Sequence, residues 1–129
     1  MVMSKLNGVA LADRVGATGV AFNQPRGLRY TAFGYPAGAP FNGETLKSCQ
    51  GQATADRYGV AGRTSQGIPC DMTGGSSGGP WFIGSGYSTS SLQNSVNSYG
   101  YPSLGNVMYG PYWGTTIQRA YDSASASTR

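Results

Sequence analysis

The residues with the most chemistry in them run from Cys70 to Trp81, Cys-Asp-Met-Thr-Gly-Gly-Ser-Ser-Gly-Gly-Pro-Trp. Ser76 and Ser77 stand between two glycine pairs, Gly74-Gly75 and Gly78-Gly79. Glycine is used where the backbone takes positive φ or comes close to another group. A turn of this kind can present a serine Oγ outward and aim the backbone N–H groups of Gly75 and Ser77 at one point. That is what an oxyanion hole for acyl transfer requires. Gly75-x-Ser77-x-Gly79 also matches the strand-to-helix nucleophile elbow. However, Ser77 is followed by Gly-Gly-Pro-Trp-Phe-Ile, which starts a strand and not a helix.

The remaining composition bounds that chemistry. The chain has 129 residues, enough for one domain with a real core. It contains no histidine, so this chain alone offers no imidazole base, no His metal ligand and no His proton shuttle. No cofactor motif and no metal-ligand set is expected. The net charge is +4, with nine basic residues dispersed along the sequence. Neither a basic stripe nor an aromatic RNA signature is present, which argues against nucleic acid as a partner. No apolar run reaches the ~20 residues of a membrane span. Cys49 and Cys70 fit either one disulfide in an oxidising compartment or two unrelated buried thiols. Met1 to Lys5 has no apolar export core, so the expectation is a piece of a longer exported protein.

The elements that must position Ser77 are read from pattern. With 21 Gly and 7 Pro, helices are disfavoured, and 12% aromatic residues argue against disorder. Residues 1–14 form a lead-in segment. Val15–Asn23 and Leu28–Phe33 read as a hairpin around Gln24-Pro25-Arg26-Gly27. Leu46–Thr54, Trp81–Ile83, Leu92–Tyr99 and Asn106–Tyr109 are further strands, with Gly51 weakening the first of these. Arg57–Pro69 reads as a polar loop. Thr115 or Thr116 caps a helix over Ile117–Ala124 whose face carries Ile117, Ala120, Tyr121 and Ala124. Residues 125–129 are a frayed tail. The fold class expected is all-β, a single six-stranded antiparallel Greek-key barrel over residues 15–124 with a short C-terminal helix.

The run Gly75-Ser76-Ser77-Gly78-Gly79-Pro80 resembles the Gly-Asp-Ser-Gly-Gly-Pro of chymotrypsin-like (trypsin-like) serine proteases, with Ser76 in the Asp position. The longer Thr-Gly-Gly-Ser-Ser-Gly-Gly-Pro-Trp is similar to that of secreted bacterial trypsin-like peptidases. Gly34-Tyr35-Pro36 looks like the family's glycine-aromatic-glycine turn, and Asn97-Ser98-Tyr99-Gly100 like its Ser-Trp-Gly substrate strand. The resemblance covers only the family's second, nucleophile-bearing barrel. It implies Ser77 as nucleophile and Gly75 and Ser77 as oxyanion donors. Ser98, Tyr99 and Gly100 become the edge that pairs with a substrate backbone. Asp71, six residues before Ser77, is either the carboxylate that receives a Lys or Arg side chain or a plain turn residue. The resemblance implies a Cys49–Cys70 disulfide and a secreted location.

The function expected is the C-terminal half of a serine endopeptidase, acting on a peptide or protein substrate. It is incomplete without a partner barrel that carries the His and Asp of the triad. An exposed apolar face is expected where that barrel would sit. A catalytically inactive peptide-binding module on the same barrel is the alternative, and a carbohydrate- or surface-binding β domain with a chance motif is a third reading.

Overall fold

The computed structural model describes residues 3–59 and 64–127. A five-stranded sheet has the order β1-β7-β6-β2-β3, and a three-stranded sheet the order β4-β5-β8. The strands are β1 Gly19–Val20, β2 Arg29–Gly34, β3 Lys47–Gln52, β4 Thr54–Ala55, β5 Gln66–Pro69, β6 Pro80–Ile83, β7 Leu92–Val96 and β8 Val107–Gly110. Helix α1 spans Leu11–Val15 and α2 spans Thr115–Ser125. Every strand pair is antiparallel except β1 with β7.

The architecture is therefore mostly β with a short C-terminal helix, as expected, but differs in detail. Among the described residues the two sheets share no backbone ladder, so they do not close into one six-stranded barrel. The hairpin expected over residues 15–33 does not form. Asn23 takes φ 54°, and its N–H donates to Trp113 O at 2.8 Å. Arg26 lies 4.3 Å from the Tyr112 ring centroid, and the Tyr112 hydroxyl donates to Gln24 O. The Pro25 turn is thus pinned to the C-terminal segment, and β1 runs beside β7 in parallel register.

Strand β5 forms at the end of the segment read as loop, Arg57–Pro69, and β4 lies just before that segment, starting at the last residue of the Leu46–Thr54 strand reading. Their residues are mostly small or polar, and Ile68 is the one large aliphatic side chain among them. Gln66 is nevertheless buried, its Oε1 accepting the Gly27 N–H at 3.0 Å. Helix α1 lies inside the lead-in and buries nothing. Helix α2 starts from Gly114 without a side-chain cap, and Thr115 Oγ1 donates to Asn23 Oδ1 instead. It extends through Ser125, so the tail is helical further than expected; residues 128–129 lie outside the described residues.

The core sits between the sheets. Tyr30 and Ala32 from β2, Cys49 from β3, Ile68 from β5, Trp81 from β6 and Met108 from β8 meet there. Tyr30 and Trp81 are fully buried with ring centroids 5.5 Å apart. Gly51 permits the sheets to approach, since a Cβ on it would come 2.5 Å from Pro69 Cδ. The Cys49–Cys70 disulfide ties β3 to the end of β5, Cα atoms 5.2 Å apart, and places Cys70 directly before the site segment. Reduction removes a 21-residue cross-link and is expected to lower stability by roughly 3 kcal/mol. Urea unfolding with and without reductant checks this, and the unreduced mass should fall short of the reduced one by a hydrogen pair.

Among the described residues no helix is long and apolar enough to cross a membrane. One apolar surface is uncovered. Ile117, Ala120, Tyr121 and Ala124 of α2, with Val20, Phe22 and Trp113, line an open groove of about 470 Å³. Ile117 and Tyr121 are exposed there.

Candidate active site

The serine turn is held from both sides. Gly74 O accepts the N–H groups of Ala37 and Gly38 at 2.7 and 3.1 Å, and Thr73 Oγ1 donates to Gly38 O at 2.7 Å. On the other side the Gly78 N–H donates to Asn97 O, and the Asn97 N–H to Gly79 O, both at 2.8 Å. Gly75 takes φ +98°, which lets the chain reverse between these anchors.

The two serines separate cleanly. Ser76 is buried at 3% exposure, with Oγ donating to Thr73 O at 2.8 Å. Ser77 is exposed on the wall of a cleft of about 360 Å³, and its Oγ has no hydrogen-bond partner among the described residues. The backbone N–H groups of Gly75 and Ser77 also lack a partner among the described residues, whereas those of Ser76, Gly78 and Gly79 are all bonded. A buried, bonded Ser76 is a structural residue; an exposed Ser77 beside two open N–H groups has the attributes of an acyl-transfer site.

The cleft brings Asp71, Ser77, Ser98, Tyr99 and Gly100 together. Gly75 does not line it but lies between Gly74 and Ser76, which do. Asp71 is exposed in the cleft. Tyr99 exchanges both backbone bonds with Tyr109 of β8, at 3.2 and 2.7 Å. The Ser98 N–H donates to the same Tyr109 O at 3.0 Å, while the Ser98 carbonyl and the Gly100 backbone groups have no backbone partner among the described residues, which leaves an edge on which another strand can pair.

Cys49, Cys70 and Asp71 have their ligand atoms within 4.8 Å of one another, yet both sulfurs are committed to the disulfide. That cluster offers a metal only a single carboxylate.

Three residues to which the sequence assigned no role shape the cleft: Asn97, Asp56 and Tyr101. Asp56 Oδ2 accepts the hydroxyls of Tyr99 and Tyr101 at 2.6 and 3.0 Å, and its Oδ1 accepts the N–H groups of Tyr58 and Gly59. The Asp-x-Tyr-Gly turn is a local signal for the last two bonds, while the tyrosine bonds are long-range. Partial desolvation pushes the Asp56 carboxyl up. Hydrogen bonds from Tyr99, the Tyr58 N–H, Tyr101 and the Gly59 N–H outweigh it and hold the carboxyl below its ordinary value. Desolvation, then the Asp56 hydrogen bond and charge, push Tyr101 up to about 12.

The signs give opposite limits. A carboxyl depressed on folding stabilises above its unfolded pKa, and that contribution is lost as pH falls through the folded value. A phenol raised on folding stabilises below its unfolded pKa, and that contribution is lost as pH rises toward about 12. Ultraviolet titration should show the Tyr101 phenol ionising well above the ordinary value of about 10, with Tyr30 and Tyr109 also raised by their burial. Asp56→Asn should move the Tyr101 step back down.

No protein-family model matches the chain, and neither does any curated protein sequence. Solved structures do match. One is a thermostable serine protease, AL20, from an extremophilic microorganism, with 55% identity and TM-score 0.84 over 97% of this chain and 56% of that one. Another is the protease Anisep from Arthrobacter nicotinovorans, with 64% identity and TM-score 0.83 over the same shares. The chain thus spans about half the length of the proteases it matches. At such identity over nearly its whole length, the chain is similar to part of two proteases, one of them named a serine protease.

Proposed function

We propose that this chain is the C-terminal, nucleophile-bearing half of a secreted serine endopeptidase. The observation that carries the reading is the contrast between Ser76, buried and bonded, and Ser77, exposed in the cleft beside the open N–H groups of Gly75 and Ser77. Ser77 Oγ attacks the scissile carbonyl. The two N–H groups receive the oxyanion, and Ser98, Tyr99 and Gly100 hold the substrate backbone as an added strand. Among the described residues Asp71 is the one carboxylate lining the cleft, and it gives the cleft affinity for a Lys or Arg side chain.

The proton on Ser77 needs a base, and this sequence contains no histidine. In this reading a partner barrel supplies the His and its Asp. The groove along α2 fits that partner, because it is apolar, open and distinct from the substrate cleft. The disulfide and the protease relatives support secretion.

The test is complementation. Co-expression with a His-bearing first barrel taken from one of the related proteases should yield hydrolysis after Arg or Lys in a peptide library. Stable association without hydrolysis would favour an inactive peptide-binding module on the same scaffold.

A further inference from the structure

Asn97 is 1% exposed and has a side chain with every polar atom engaged. Its Nδ2 donates to Phe33 O at 2.9 Å and to Ser76 O at 3.0 Å, while its Oδ1 accepts the Trp81 indole N–H at 2.7 Å. Its own backbone pairs with Gly78 and Gly79. One side chain therefore joins the end of β2, the serine turn and the start of β6. The next residue along the chain is Ser98, the first of the substrate edge. No purely local bond makes this connection, since the turn's internal bonds run among Thr73, Ser76 and Gly79 and none reaches the edge.

We propose that Asn97 is a positioning residue for acyl transfer at Ser77, fixing the N–H groups of the serine turn relative to the strand that binds substrate. This rests on the reading of Ser77 and its turn as a protease site. The side chain suits that role because it offers two donors and an acceptor in one plane, matched to two carbonyls and one indole N–H. An aliphatic residue of similar size would leave the buried Trp81 N–H unpaired and withdraw one donor each from Phe33 O and Ser76 O, the latter keeping the Gly79 N–H at 3.1 Å. The Ser76 carbonyl that would lose this donor shares its peptide plane with the Ser77 N–H. That N–H is thus aimed through two bonds on the Ser76 carbonyl, one from Asn97 and one from Gly79.

Two peptides test this on the chain as it exists: an acetylated tetrapeptide ending in Arg as the free carboxylate, and the same peptide as its amide. The cleft and edge hold both, but only the carboxylate places a negative oxygen on the turn's N–H groups. The wild-type chain should bind the carboxylate roughly tenfold more tightly. Asn97→Ala should keep the affinity for the amide and lose the preference. A purely structural role would weaken both peptides alike and leave their ratio standing. A folded Asn97→Ala chain that retains the ratio overturns the proposal alone, whereas a wild-type chain with no preference overturns the oxyanion role of the two N–H groups and this proposal with it. A wild-type chain that binds neither peptide overturns the protease reading and this proposal with it. Should Asn97→Ala fail to fold, the wild-type nuclear magnetic resonance spectrum decides. The Asn97 side-chain amide signals should shift with the carboxylate and not with the amide, and equal response to both overturns the proposal.

Discussion

Purified alone, the chain is expected to leave a fluorophosphonate probe unreacted, and a His-bearing first barrel supplied in trans to restore labelling at Ser77. Geometry and reactivity separate here. The exposed Oγ and the open N–H groups of Gly75 and Ser77 belong to this chain, whereas proton removal needs a base within hydrogen-bond reach. The carboxylates do not substitute. Asp71 shares the cleft but makes no hydrogen bond to Ser77, and Asp56 is engaged by Tyr99 and Tyr101. Serine proteases stripped of a triad member keep a residual catalysis of roughly 10³-fold over water, from the oxyanion hole and substrate binding. The isolated chain therefore sits orders of magnitude below a working protease. Mass spectrometry of the probe adduct locates the label, and Ser77→Ala should abolish whatever the partner restores. Rapid labelling of the isolated chain at Ser77 would show that a base is already in place and would end the half-protease reading.

The serine motif was legible because its chemistry is local: paired glycines around two serines leave few other uses for the segment. Which serine faces the cleft followed from the resemblance, and the burial of Ser76 agrees with it. The strands β2, β3, β6, β7 and β8 and the helix α2 were legible for a similar reason, since apolar or alternating runs met Gly and Pro punctuation. What the pattern could not supply was long-range. Gln66 reads as a loop residue until Gly27 is seen to donate to it, and β1 reads as a hairpin arm until Asn23 and Gln24 are seen bound to the C-terminal segment. Gly51 counts against a strand on propensity, yet its missing side chain admits Pro69. The Asn97 side chain and the tyrosine bonds of Asp56 carried no signal of their own, because an amide or carboxylate bonded to groups dozens of residues away looks, in sequence, like any surface polar residue.

The largest single-residue loss of stability is expected from Gly79→Ala, compared with Gly78→Ala one position earlier. The two glycines are neighbours in the motif and face opposite constraints. Gly78 has φ +81° with nothing within 4 Å of where a methyl would stand, so an alanine there meets only the cost of the left-handed conformation. That cost is about 1–2 kcal/mol. At Gly79 a methyl would overlap the Phe33 carbonyl oxygen, and it would also press on Asn97 Nδ2 at 2.7 Å and Ser76 O at 3.0 Å. Phe33 is paired with Ser48 of β3 and follows Ala32, which is paired with Trp81 of β6, so the carbonyl cannot retreat without disturbing the β2–β3 ladder. Asn97 cannot yield without releasing Trp81 and Ser76. The loss should be on the order of 3 kcal/mol or more, at the upper end for overpacking a filled site. Against the 5–15 kcal/mol typical of whole domains, that is a large share. Urea midpoints of the two variants measured beside wild type check the ordering. A Gly79→Ala chain as stable as Gly78→Ala would mean that the serine turn is free to move away from β2, and that Asn97 does not hold it.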